Sequence, residues 1–279
     1  PRSTQSRSSA ASDVYKRQVG LNALAANTTG SENTSIGYKA LLANTTGDEN
    51  TASGFYALRN NTTGKRNTAS GFNALYNNTT GAGNASVGFK SLQSNTTGTR
   101  NIAFGYQAYD AADTENDNLA IGYDALGGAI NGGEYNVAIG NYSLDANTTG
   151  DWNIGIGYQS LTANTTGQDN VAIGSDALGV NTTGNNNTAT GSDALKANTT
   201  GSSNDAMGGG TLGANTTGSN NTAIGSGALA GNTTGAGNIS FGIGSGDLIT
   251  TGTNNVILGF AADASVAAGT NQIVIGQSA

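Results

Sequence analysis

The chain has 279 residues, 10% of them charged, with a net charge of −7, 44 glycines, one proline and neither cysteine nor histidine. Eleven basic residues within that acidic balance argue against nucleic acid, whose recognition rests on cations facing phosphates. The missing residue types remove disulfides, thiolate nucleophiles, thiolate metal sites and the commonest general base, and no run of ~18 apolar residues is present to span a bilayer.

Residues 1–18 stand apart from everything after them. The stretch Ser9–Gln18 resembles translated sequencing-adapter read-through, so 1–18 is read as a non-native or disordered leader outside the fold. The chain lacks an initiating Met and stops just after a repeat glycine, as expected of a fragment.

From about Val19 to Ala279 one phrase recurs every 17 residues, anchored on Gly20, Gly37, Gly54 and onward to Gly122. One extra residue falls before Gly140, after which the step resumes to Gly276. A fixed short period predicts stacked coils that contact only their neighbours, so 19–279 is read as an all-β parallel solenoid of about fifteen coils. No cofactor and no metal is expected.

Within each coil, positions are counted from the anchor glycine. Position −4 is Asn, as in Asn136, Asn153, Asn170 and Asn187, giving way only to Gln272. Stacked ~4.8 Å apart, these amides predict a hydrogen-bonded ladder or a set of backbone-binding turn residues. Positions −3 to −1 read as a short strand with apolar residues at −3 and −1, such as Val171 and Ile173, and a small residue between. Alternation puts −3 and −1 on one face and the small residue on the other, where the opposite wall of the coil or another chain approaches closely.

Position +4 is Leu in nearly every coil, including Leu144, Leu161, Leu178 and Leu195. Burying each is worth roughly 1.5–3 kcal/mol, which predicts a core ladder. The surrounding segment, Tyr38–Ala43 in one coil, reads equally as a second strand or one helical turn. The phrase closes on Asn-Thr-Thr-Gly, whose glycine is expected at a positive-φ corner. Each Asn-Thr-Thr is a formal glycosylation sequon, which a turn repeated for its geometry produces by accident.

Position +1 is aromatic in Tyr38, Phe55, Phe72, Phe89, Tyr106 and Tyr123, then mostly polar or small from Asn141 onward. This column is a possible partner contact, for a sugar or a neighbouring chain, or it packs on the coil itself. Asp110, Asp113, Glu115 and Asp117 cluster where Asn-Thr-Thr-Gly is lost. Oxygen ligation of Ca²⁺ or paired-carboxylate cleavage of polysaccharide are conceivable roles, but a solvated variant loop is the expectation. Gly242–Gly246 faintly matches a dinucleotide loop, and lies inside the glycine repeat. No enzyme is expected.

The Asn-x-Ala-Ile-Gly phrase at Asn136–Gly140, Asn170–Gly174 and Asn221–Gly225 resembles the head repeats of trimeric autotransporter adhesins of the YadA type, and the repeats of phage tail fibres and related trimeric surface proteins. Asn254–Gly259 and Asn271–Gly276 match best. The resemblance covers 19–279 and implies a left-handed β-roll, a homotrimer, and an extracellular place on a cell or virion surface. The repeat here is longer, through its Asn-Thr-Thr-Gly insert, and residues 19–279 themselves contain no stalk coiled coil or anchor segment. The expected function is a non-catalytic structural or adhesive segment of a surface fibre, meeting a host surface, matrix protein or glycan, without nucleic acid and without membrane insertion. The alternatives are an ice-binding solenoid and a polysaccharide-binding or -degrading fibre domain.

Overall fold

The computed structural model describes residues 16–277. Most of the expected leader lies outside the described residues, but Arg17 and Gln18 belong to the first strand. The chain divides into two compact units, Pro1–Gly132 and Gly133–Ala279, and each is a parallel β-solenoid of the same design.

Unit 1 stacks β1 (Arg17–Val19), β2 (Thr34–Ile36), β3 (Thr51–Ser53), β4 (Thr68–Ser70), β5 (Ala85–Val87), β6 (Ile102–Phe104) and β7 (Leu119–Ile121). Unit 2 stacks β8 (Val137–Ile139), β9 (Ile154–Ile156), β10 (Val171–Ile173), β11 (Thr188–Thr190), β12 (Asp205–Met207), β13 (Thr222–Ile224), β14 (Ile239–Phe241), β15 (Val256–Leu258) and β16 (Ile273–Ile275). Within a unit each strand pairs with the next in chain order, in parallel, each residue meeting its equivalent one repeat on: Thr34↔Thr51 in one unit, Val171↔Thr188 in the other.

Anchor glycines end the strands. Their φ lies between +130° and +151°, and a Cβ on Gly37 would strike the carbonyl of Gly54 in the next coil. No other residue fits there. The middle strand residue turns inward and is fully buried, as in Ala52, Ala103 and Ala172, while its neighbours at −3 and −1 face outward. The small residue therefore meets the opposite wall of its own coil. Where both facing positions are Ser they bond across the coil, Ser86 Oγ to Ser91 Oγ at 2.6 Å.

The segment after the glycine is neither strand nor helix but a run of turns. Positions +2 and +4 both take left-handed backbone: Lys39 has φ 52° and Leu41 49°, and the leucines from Leu24 to Leu229 fall between 48° and 53°. A non-glycine residue there costs roughly 1–2 kcal/mol. Fully burying the leucine returns roughly 1.5–3 kcal/mol, so packing and coil-to-coil bonds such as Leu41 N–H to Ala57 O at 3.0 Å outweigh local preference.

Two amide ladders complete the core. At −4, the carboxamide oxygen of Asn153 accepts from the Asn170 backbone N–H at 3.1 Å, and its Nδ2 donates to Gly167 O at 2.8 Å. Ladder and turn roles thus coincide in one residue. The Asn of Asn-Thr-Thr-Gly forms the second ladder: Asn181 Nδ2 donates to Asn164 Oδ1 and to Gly184 O, both at 3.0 Å. The first Thr after it donates its hydroxyl to the next coil, Thr165 Oγ1 to Thr182 O at 2.9 Å.

The glycine closing that phrase does not take the expected positive φ. It is glycine for want of room: a Cβ on Gly47 would collide with Asn44 Oδ1 and Gly64 O. Its carbonyl receives both ladders, from Asn33 at 2.7 Å and Asn44 at 2.9 Å. The second ladder stops where its residue changes. Ala112 stands one repeat after Asn95 and Ile249 one repeat after Asn232, and those two asparagines have buried Oδ1 atoms with no partner.

Candidate functional site

The ladder residues form the interior. Asn136, Asn153, Asn170, Asn187, Leu144, Leu161, Leu178 and Leu195 are all fully buried, so they hold coils together and meet no ligand. The sequon asparagines Asn44, Asn164 and Asn215 are equally buried, with both amide hydrogens donated. A sugar on Nδ2 would have to displace the ladder.

Tyr38, Phe55, Phe72, Phe89, Tyr106 and Tyr123 lie on the outside of unit 1 as one column. Successive centroids are 4.9–5.2 Å apart and successive planes within 24° of parallel. Phe55 to Tyr123 are 37–45% exposed. Coil spacing sets the stacking, since one ring per ~4.8 Å step leaves room for nothing between. Ring faces inside the column therefore cover one another, and edges meet solvent. Lys39 lies 5.1 Å from the Tyr38 centroid, Lys90 5.5 Å from Phe89, and Arg59 5.2 and 5.5 Å from Tyr56 and Tyr76.

The acidic cluster is dispersed among separate partners. Asp110 accepts from Gln107 Nε2 at 3.0 Å, and burial pushes its carboxyl above the usual range. Asp113 accepts from the Thr96 hydroxyl. Asp117 pairs with Arg100 Nε at 2.6 Å, and that bond holds its carboxyl low. Glu115 is not the solvated loop residue expected: it is 4% exposed and accepts backbone N–H groups of Asp113, Thr114 and Gly132 at 3.0–3.1 Å. It stands where other coils place the crowded glycine, and its carboxylate satisfies the altered turn. Beside it Tyr109 replaces the core leucine, fully buried, its hydroxyl accepting from Asn118 Nδ2 at 2.6 Å. Among the described residues, no three of the acidic side chains are placed to hold a metal ion.

Lys65, Arg66 and Arg100 rim a shallow notch floored by Ala82 and Gly83. Lys65 pairs with Asp48 at 2.8 Å and Arg66 with Glu49 at 3.3 Å, so with the Arg100–Asp117 pair the notch is electrically balanced. Among the described residues, no helix is long and apolar enough to cross a membrane.

A second aromatic stack was not anticipated. Tyr135 and Trp152 occupy position −5 of successive coils in unit 2, centroids 4.2 Å apart and planes within 9°. Trp152 is 56% exposed and Tyr135 40%. The signal was present as the only tryptophan of the chain, 17 residues after a tyrosine, in a column otherwise filled by Glu32, Arg66, Asp169 and Asn186.

No family model and no curated protein matches this chain.

Proposed function

We propose that this chain is a non-catalytic structural and adhesive segment of a surface fibre, assembled from three copies side by side. What supports this reading is the outward strand face. Ile102, Phe104 and Ile121 in unit 1, and Ile173, Met207, Ile224, Ile239 and Phe241 in unit 2, are each 38–48% exposed. Apolar residues recur along this face from coil to coil, interrupted at Thr51–Ser53, Thr68–Ser70 and Thr188–Thr190; a partner of the same axial period matches such a row along its length, and a further copy of the chain supplies one. Burying apolar area at roughly 25 cal/mol per Å² then adds up coil by coil. A stiff repeated scaffold of this kind suits display outside a cell or on a virion, with a host surface, matrix protein or glycan as its target. Light scattering tests the assembly: three times 27.6 kDa is expected, and a stable folded monomer overturns it. Ile173→Asp with Ile224→Asp should dissociate the trimer while far-ultraviolet dichroism persists.

One observation favours a second reading. Thr149, Thr166, Thr183, Thr200, Thr217, Thr234 and Thr251 form an exposed column in unit 2. The adjacent threonines lie in a bend rather than a strand, the first tied to the backbone and the second open to solvent. A regular row of hydroxyl and methyl groups suits an ice surface; clear thermal hysteresis would place this reading first.

A further inference from the structure

We infer that the Tyr135–Trp152 stack in unit 2 is a carbohydrate-binding platform, taking the apolar face of a pyranose ring on the uncovered side of the Trp152 indole. The inference rests on the reading of the chain as an attachment surface and deepens it by naming the ligand class.

The first observation is conformational. Trp152 and Tyr135 both have φ of 59°, left-handed backbone that bulky side chains rarely adopt. Among the other described coils the equivalent corner carries Glu, Arg, Asp, Asn, Ser or Gly, residues content in water or in that conformation. The core leucines accept the same backbone because they are buried; Trp152, more than half exposed, has no such compensation. Strained, exposed aromatic side chains point to a use beyond folding.

The second observation separates this pair from the column of unit 1. There, five successive stacks bury the inner faces and offer edges. Here the stack has two members: Tyr135 covers one indole face, and at the corner one coil on stands Asp169, short and exposed. The indole is the larger group, and with Tyr135 on one face Trp152 is still 56% exposed. A pyranose presents a face of C–H bonds whose partial positive charge suits the negative face of a π system.

The third observation is the chemistry of the same corner one coil on. Asp169 and Gln168 are exposed, and their side chains make no hydrogen bond in the protein. A carboxylate and a carboxamide beside an aromatic face supply acceptors and donors for ring hydroxyls, the combination that orients a sugar after stacking has placed it. Tyr135, held parallel beneath, fixes the indole so that little side-chain freedom is lost on binding.

The single tryptophan makes the site report on itself. Intrinsic fluorescence of the full chain would be titrated with cellohexaose, xylohexaose, chitohexaose and maltohexaose, with acrylamide quenching measured in parallel. At least one should give a saturable emission shift at millimolar concentration with at least twofold protection from quenching. Asp169→Ala should weaken that binding about tenfold. Trp152→Ala, followed by affinity electrophoresis in the corresponding polysaccharide, should abolish retardation, and Phe55→Ala in unit 1 should leave it unchanged. No shift and no protection with any of the four sugars overturns the proposal, as does undiminished retardation of Trp152→Ala. Light scattering on the same samples keeps the two readings apart: a sugar-binding monomer refutes the trimer alone, and a trimer blind to all four sugars refutes the platform alone.

Discussion

Replacing Asn181 by Asp exchanges one NH₂ for an oxygen and leaves shape unchanged, which makes it a direct test of the amide ladder. Asn181 donates to Asn164 Oδ1 and Gly184 O, both at 3.0 Å, and accepts from Asn198 Nδ2 at 2.8 Å. An ionised Asp keeps only the last bond. Asn164 Oδ1 loses its only donor, while Gly184 O keeps the bond from Asn170 Nδ2 at 2.8 Å, so the cost is about 1–3 kcal/mol before desolvation of the charge is added. Burial disfavours the ionised form, so the folded-state pKa rises above the unfolded ~3.9. The folded chain then holds more protons than the unfolded one between those two values, and stability falls as pH rises through that interval. Below it the protonated carboxyl recovers one donor and part of the loss. Asn185→Asp is the matched control. Asn185 serves the backbone of the preceding coil only as an acceptor, from Gln168 N–H at 2.7 Å, and the equivalent position in an earlier coil is already Asp151, accepting from Glu134 N–H at 2.8 Å. Urea melts of both variants from pH 3 to 8 decide the matter. If Asn181→Asp at pH 7 is as stable as Asn185→Asp, the ladder does not hold the coils together.

Leu161→Asp should cost several kcal/mol by placing an unpaired carboxylate in a fully buried site; Gln159→Asp should change stability by less than about 0.5 kcal/mol, because Asp176 and Asp193 already occupy that left-handed position, and equal melting temperatures would reverse this inside–outside assignment. Deleting Gly157 through Ile173 should leave a shorter folded chain that loses about one coil and one interface, whereas deleting Gly157 through Asn164 should interrupt stacking; circular dichroism showing both equally tolerated would mean the 17-residue phrase is not the unit. Burial raises the Asp110 carboxyl, and Asp124 is raised by its own burial first and then by repulsion from the Asp110 charge. The wild type should thus lose stability as pH rises above the ordinary carboxylate range, and Asp110→Asn, which keeps an acceptor for Gln107, should be the more stable protein at pH 7 and lose that advantage by pH 3, as thermal melts would show.

Period, parallel stacking and the interior place of Asn170 and Leu161 were legible because each depends on a residue recurring in register. Backbone conformation at Leu161 was not: nothing local announces a left-handed leucine, whose cost is met only after neighbouring coils enclose it. Gly184 misled for the opposite reason. Glycine in a turn suggests positive φ, yet here the Gly201 carbonyl of the next coil and the Asn181 carboxamide leave no volume for a Cβ, a crowding completed only when the coils stack. The aromatic column from Tyr38 to Tyr123 was visible as a column, while the covering of its ring faces required the stacked geometry. Trp152 escaped notice because its column reads as charged and polar until the two rings are seen face to face.

The backbone bonds joining coils have a mechanical consequence. Strands lie across the direction of stacking and their hydrogen bonds along it, so tension in that direction falls on the outermost rung first and is not shared among the rest. Each rung that lets go frees 17 residues, about 56–61 Å of extended chain at ~3.3–3.6 Å per residue, in exchange for about 4.8 Å of stacked height. A unit pulled end from end thus lengthens in equal, repeatable increments at nearly constant load. Because the newly exposed edge offers the released segment the same two amide ladders it left, slack rewinds it. The repeat that makes the scaffold rigid under bending also makes it yield under pull, one coil at a time, before any attachment point must.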